Sequence, residues 1–125
     1  MGAGQRKKWS ENAPPWFKRA IEFVDTYAHT QITLADIATV AHVTPRALQL
    51  AFREQLETTP IGYLLGVRLQ RAHLELTAAH PSTSTVREIA RRWGFRHSGR
   101  FARQYRKRYG VYPEDTLKGV YRTAG

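Results

Sequence analysis

One pattern, stated twice, constrains this chain more than any other feature. Thr33 is followed three residues later by Asp36 and then by Ile37 and Ala38. Thr85 is followed in the same register by Glu88, Ile89 and Ala90, an offset of 52. A Thr-x-x-acid run ahead of an apolar pair is a capping box. The hydroxyl accepts from the third backbone N–H, and the acid accepts from the cap's own N–H. A turn follows in each copy, His42-Val43 in the first and Gly94-Phe95 in the second. Beyond the turn the offset becomes 53 and pairs Leu48 with Phe101, Phe52 with Tyr105 and Leu56 with Tyr109. It also pairs Pro60 with Pro113, Leu64 with Leu117, and Gly66-Val67 with Gly119-Val120. Caps and core positions repeat together over roughly 30 positions, so the chain holds two copies of one supersecondary unit.

The unit is helical. Apolar residues recur at helical spacing almost throughout, and nothing reads as a strand series. Pro14 and Pro15 open a first helix, where proline fits the first turn; Phe17, Ile21, Val24 and Ala28 share one face. Thr33 starts a second helix that ends near Ala41 and His42, with Ile32 and Ile37 placed as a hydrophobic staple. Thr44-Pro45 restarts the chain as cap plus first-turn proline, and Leu48, Phe52 and Leu56 form the buried stripe that follows. Only two or three residues part these helices, the spacing of a helix-turn-helix. Thr59-Pro60 caps a long fourth helix running to about Ala79. Its apolar face is read as Ile61, Leu65, Leu69, Ala72 and Leu76, and Pro81 lies in the break after it. Trp16 and Phe17 are read as closing the first core, and Trp93, Phe95, Tyr105 and Tyr109 as core of the second. The expected fold is all-α, with two helix-turn-helix subdomains joined by a long linker helix and about seven helices in all. The expected organisation is a flexible leader over 1–13, the first subdomain over 14–58, the linker helix over 59–79 and the second subdomain over 80–125.

Charge points to the partner. Lys and Arg number 20 against 10 Asp and Glu, a net charge of +10. A polyphosphate rewards distributed cations through counterion release, so double-stranded DNA, a promoter or operator, is the expected partner. The charge is uneven: nine cations and one acid, Glu88, lie between Arg87 and Arg108, whereas Leu34 to Leu56 has two of each. The chain has no cysteine, which excludes disulfides and thiolate zinc sites. The five histidines are scattered without ligand spacing, so neither metal nor cofactor is expected. No nucleophile sits with a base, no carboxylates pair and no glycine-rich phosphate loop is present, so the chain reads as no enzyme. No apolar run reaches the roughly 18 residues that a membrane span needs. The first ten residues lack a signal peptide's apolar stretch. No membrane association is expected, and the place of action is read as cytoplasmic, with the nucleoid.

In a helix-turn-helix the second helix enters the major groove, where base edges carry distinguishing donors and acceptors. The candidate reading helices are Thr44–Glu57 and about Ser98–Tyr109. With Leu48, Phe52 and Leu56 inward, Arg46, Gln49, Leu50 and Arg53 face out. With Phe101, Tyr105 and Tyr109 inward, Gly99, Arg103 and Arg106 face out, Ser98 and Arg100 lie in the first turn, and Gly99 lets backbone approach the duplex. Arg grips guanine at two points, Gln does the same with adenine, and a leucine suits a thymine methyl. The expected base contacts are Arg46, Gln49, Leu50, Ser98, Arg100 and Arg103. The expected phosphate contacts are Arg53, Arg91, Arg92, His97, Arg106 and Lys107. Arg68 and Arg71 are read as partners of Glu75 or Glu57. A linker helix of about 28 Å suits two units serving one face of B-DNA about 34 Å apart. The rival reading, a non-specific architectural binder, would use the same charge without needing two ordered reading helices. An A-form RNA groove is too deep and narrow for such a helix.

The linker helix carries Arg68-Leu69-Gln70-Arg71-Ala72-His73-Leu74. The second unit carries Ile89-Ala90 and Gly94-Phe95, then Phe101, Arg103, Tyr105, Arg106, Lys107, Gly110 and Pro113. In these motifs the chain resembles the AraC/XylS family of bacterial regulators across about residues 16–122. The resemblance implies a seven-helix domain whose two reading helices enter neighbouring major-groove segments of an asymmetric site. It leans toward activation, and RNA polymerase is a further expected partner. Members usually carry a further effector or dimerisation domain, which this sequence lacks, so the chain is read as a fragment or a minimal member, and as a monomer. Three residues depart from the pattern. His42 stands where the first turn often has glycine, His97 where the second reading helix often has a small polar cap, and Tyr112 where Ser or Thr usually precedes Pro113.

Overall fold

The computed structural model describes residues 9–119. Among them the chain forms seven α-helices and no strand. These are α1 (Pro15–Tyr27), α2 (Leu34–Ala41), α3 (Pro45–Leu56), α4 (Pro60–Ala78), α5 (Val86–Arg92), α6 (Ser98–Tyr109) and α7 (Pro113–Lys118). They fall into two compact units, one ending at Leu65 and the other beginning at Gly66, so the boundary lies inside α4. No described helix is long and apolar enough to cross a membrane. Val120, the repeat partner of Val67, and residues 1–8 of the expected leader lie outside the described residues. Inside that leader Trp9 stacks edge-on against Phe17 at 5.5 Å. The Ser10 N–H donates to Gln55 Oε1 at 2.9 Å, so packing begins before Pro14.

Both capping boxes form. Thr33 Oγ1 accepts from the Asp36 N–H while Asp36 accepts from the Thr33 N–H. Thr85 and Glu88 exchange the same pair of bonds. Each box satisfies donors that a helix start leaves open, and loss of such a cap costs about 1 kcal/mol. The repeat reaches the backbone of the turns as well. The Val43 N–H reaches back to the Ala38 carbonyl at 3.0 Å, and the Phe95 N–H to the Ala90 carbonyl at 2.9 Å. This six-residue closure ends a helix by passing one residue through left-handed backbone. Gly94 (φ 89°) takes that conformation at no steric cost, whereas His42 (φ 59°) takes it with a Cβ.

In the first unit Phe17, Ile21, Val24 and Ala28 of α1 are buried as the spacing predicts, with Ile37, Ala38, Leu48 and Phe52. Phe17 meets Phe52 at 4.9 Å, and Phe52 meets Tyr63 at 5.8 Å. The Tyr63 hydroxyl donates to Asp25 at 2.8 Å. In the second unit Leu69, Ala72, Leu76, Ile89, Phe101, Tyr105 and Leu117 are buried.

Several sequence expectations need correction. Ile61 is 47% exposed, whereas Leu64 and Val67 are buried in its place. The apolar side of α4 therefore changes along its length, and no single stripe describes it. Leu56, Tyr109, Trp93 and Phe95 are only half-buried, as are Trp16 and Leu65. Glu75 pairs with neither Arg68 nor Arg71. It accepts from Arg92 and, at 2.8 Å, from the Trp93 indole N–H, while Arg71 lies 5.9 Å over the Trp93 ring.

The turn at His42 gives a prediction. Left-handed backbone costs a residue with a Cβ about 1–2 kcal/mol, and the extra freedom of glycine returns about 0.5–1 kcal/mol of that. His42→Gly is expected to raise stability by about 0.5–1 kcal/mol, read as a higher denaturant midpoint with an unchanged slope.

Candidate nucleic-acid interface

The first reading helix, α3, is set by its cap. Thr44 Oγ1 accepts from the Ala47 N–H at 3.1 Å, and Pro45 supplies the first-turn φ. Leu48, Ala51 and Phe52 are buried, which fixes the helix rotation. Arg46, Gln49 and Arg53 are then exposed, and Leu50 is 56% exposed.

The second reading helix, α6, is held by its aromatics. Phe101 and Tyr105 are fully buried. Phe95 packs on Phe101 at 4.7 Å, and Tyr109 on Tyr105 at 4.7 Å. Ser98, Gly99, Arg100, Arg103, Arg106 and Lys107 are all exposed. His97 occupies the cap position but makes no side-chain capping bond. Arg91 and Arg92 are exposed on α5, the latter bound to Glu75. All twelve predicted contact residues are therefore at the surface, grouped by unit: Arg46, Gln49, Leu50 and Arg53 in the first, the other eight in the second.

A polar chain, buried at Tyr105 and Thr116 and half-buried at His73, ties α6 to its neighbours. The Tyr105 hydroxyl donates to Thr116 Oγ1 of α7 at 2.8 Å. It accepts from Nδ1 of His73 on α4 at 2.7 Å, a tautomer that follows from the Tyr105 donation. The imidazole also stacks on Tyr109, centroids 4.2 Å apart. Burial holds His73 below its ordinary pKa. Arg68 lies against the turn. A Cβ added at Gly94 would meet its guanidinium at 3.3 Å, so position 94 is constrained by space as well as by φ. Burial also pulls Arg68 below its ordinary pKa, yet an arginine stays cationic at neutral pH.

Residues 37–119 match the model of a helix-turn-helix domain family. The chain is 38% identical over 107 residues to a protein of Rhodococcus erythropolis named "Probable thc operon regulatory protein", covering 86% of this chain and 32% of that one. It is 34% identical over 113 residues to "XylDLEGF operon transcriptional activator 3" of Pseudomonas putida, covering 90% of this chain and 34% of that protein. The crystal structure of a probable AraC family transcriptional regulator from Rhodopseudomonas palustris superposes with a TM-score of 0.77 at 28% identity, covering 84% of this chain and 96% of that one. The chain belongs to the AraC/XylS family. It carries the helix-turn-helix domain and spans about a third of the length of the first two relatives.

The departures from the AraC/XylS pattern each have a structural outcome. His42 adopts the left-handed turn without glycine. His97 leaves the α6 start without a side-chain cap. Tyr112 gives α7 no side-chain cap either, but Glu114 and Asp115 sit in its first turn, where acids suit the helix dipole. The Tyr112 ring instead carries the Arg106 guanidinium 4.6 Å from its centroid. Sequence reading missed that stack and the Glu75–Trp93–Arg92 cluster, because neither follows a helical period. It also left out Arg96, an exposed cation in the turn that leads into α6; its position in the turn was the available signal.

His73 is expected to make the second unit acid-sensitive. A histidine held below its unfolded pKa stabilises the fold fully above that pKa and loses the contribution as pH falls through the folded value. The melting temperature is expected to fall as pH drops below about 6.5, the ordinary histidine value. His73→Gln should flatten that decline in a pH series of thermal melts.

Proposed function

We propose that this chain is the reading head of a bacterial transcription regulator whose two units, residues 14–58 and 80–125, each read a short motif of one promoter or operator. The observation that carries this reading is the pair of exposed faces on α3 and α6, opposite the buried Leu48 and Phe52 in one and Phe101 and Tyr105 in the other. Arg46, Gln49 and Leu50 read bases for the first unit, and Ser98, Arg100 and Arg103 for the second. Arg53, Arg91, Arg92, His97, Arg106 and Lys107 serve phosphates. Arg92 does so by exchanging Glu75, and Arg106 from its rest on the Tyr112 ring. The second unit, with most of the cations, supplies more of the salt-dependent attraction. One chain occupies the site as a monomer, acts in the cytoplasm on the nucleoid, and favours activation through contact with RNA polymerase. An effector-binding domain belongs to the longer regulator, in keeping with relatives about three times as long.

Selection of a random duplex library by the purified chain tests this directly. Two short enriched motifs, bound far more tightly than a scrambled duplex, are the expected result. Equal, salt-sensitive binding to every sequence would favour an architectural binder instead. On the selected duplex Arg46→Ala and Arg103→Ala should each cost about 1–3 kcal/mol and relax preference at one position, whereas Lys107→Ala should weaken all sequences alike. Titrations on selected and scrambled duplexes separate the two behaviours.

A further inference from the structure

Positions 46 and 99 are counterparts in the repeat, and so are 50 and 103, each pair 53 residues apart. The first unit carries Arg46 and Leu50, and the second carries Gly99 and Arg103. Each pair is spaced i, i+4, so its two side chains are neighbours on one helix face. One guanidinium serves this pair in each unit, supplied by the first member in one and by the second member in the other.

The fold itself does not ask for glycine at 99. The residue lies inside α6, is exposed and has no positive φ. A Cβ there would meet a single atom, Nη1 of Arg103, at 3.6 Å, which is ordinary contact. A glycine within a helix is weaker than nearly any other residue. What its bareness provides is room along the first turn of the helix, and the Arg103 guanidinium lies against that turn. The first turn of a reading helix is the part that meets base edges.

We infer that Gly99 is a specificity-determining residue that acts through Arg103. Its missing side chain lets the Arg103 guanidinium lie over the first turn of α6 and take the reading place that Arg46 holds in the first unit. The inference rests on the reading of Arg103 as a base contact. Alanine at 99 fits beside the guanidinium, whereas a longer polar side chain such as glutamine competes for its place.

The test compares four proteins with the parent on the selected and the scrambled duplex: Gly99→Ala, Gly99→Gln, Arg103→Leu, and the double variant Gly99→Arg with Arg103→Leu, which rebuilds the first unit's pair. Thermal melts should show no loss of stability in the position 99 variants, because each replaces a helical glycine. Gly99→Ala should bind like the parent. Gly99→Gln and Arg103→Leu should each lower the selected-to-scrambled affinity ratio by about tenfold, within the range for loss of one base contact. The double variant should recover most of that ratio. Parent-like discrimination by Gly99→Gln, or a double variant no better than Arg103→Leu, would overturn the role of Gly99 while leaving Arg103 as a reader. An unchanged ratio for Arg103→Leu would instead overturn the reading of Arg103, and this inference with it.

Discussion

The backbone bond that closes each turn is the interaction on which the rest depends. The N–H of Val43 reaches Ala38, and that of Phe95 reaches Ala90. Each bond ends a supporting helix and redirects the chain within two or three residues, so the angle of the next helix is set by backbone rather than by flexible side chains. The bond requires one residue in left-handed conformation. Ala38 and Ala90, whose carbonyls accept it, are both buried. Only once this angle is fixed do the caps and the apolar stripe decide which side of α3 or α6 faces outward.

The two units meet this common demand with different chemistry. The first relies on apolar packing, with Phe17, Phe52 and Tyr63 in a row of ring contacts and a half-buried Asp25 accepting from Tyr63. The second threads a polar chain through its interior, from His73 to Tyr105 to Thr116, which ties three helices at once. Such a chain is costly when a partner is lost, and no described buried side chain here lacks one. The central tyrosine of α6 is thereby held from both α4 and α7.

How much was legible in the sequence follows from the range over which each interaction acts. Thr33–Asp36 and Thr85–Glu88 act across three residues, so the starts of α2 and α5 could be read outright. The rotation of α3 and α6 was legible because Leu48–Phe52 and Phe101–Tyr105 keep a helical period against one core. The same logic failed for α4, whose buried side passes from Leu64 and Val67 to Leu69, Ala72 and Leu76 while Ile61 faces water. Glu75 with Trp93 joins residues 18 apart, and Arg106 over Tyr112 depends on how α6 ends. Neither leaves a local trace. The twelve surface positions were legible as outward-facing.

The outward residues of α3, Arg46, Gln49, Leu50 and Arg53, have no side-chain hydrogen bond or ion pair with any described residue. Folding therefore places almost no demand on their identity. Substitutions there can accumulate without eroding the core, the caps or the turns. A scaffold built this way can vary that face one position at a time while each intermediate still folds.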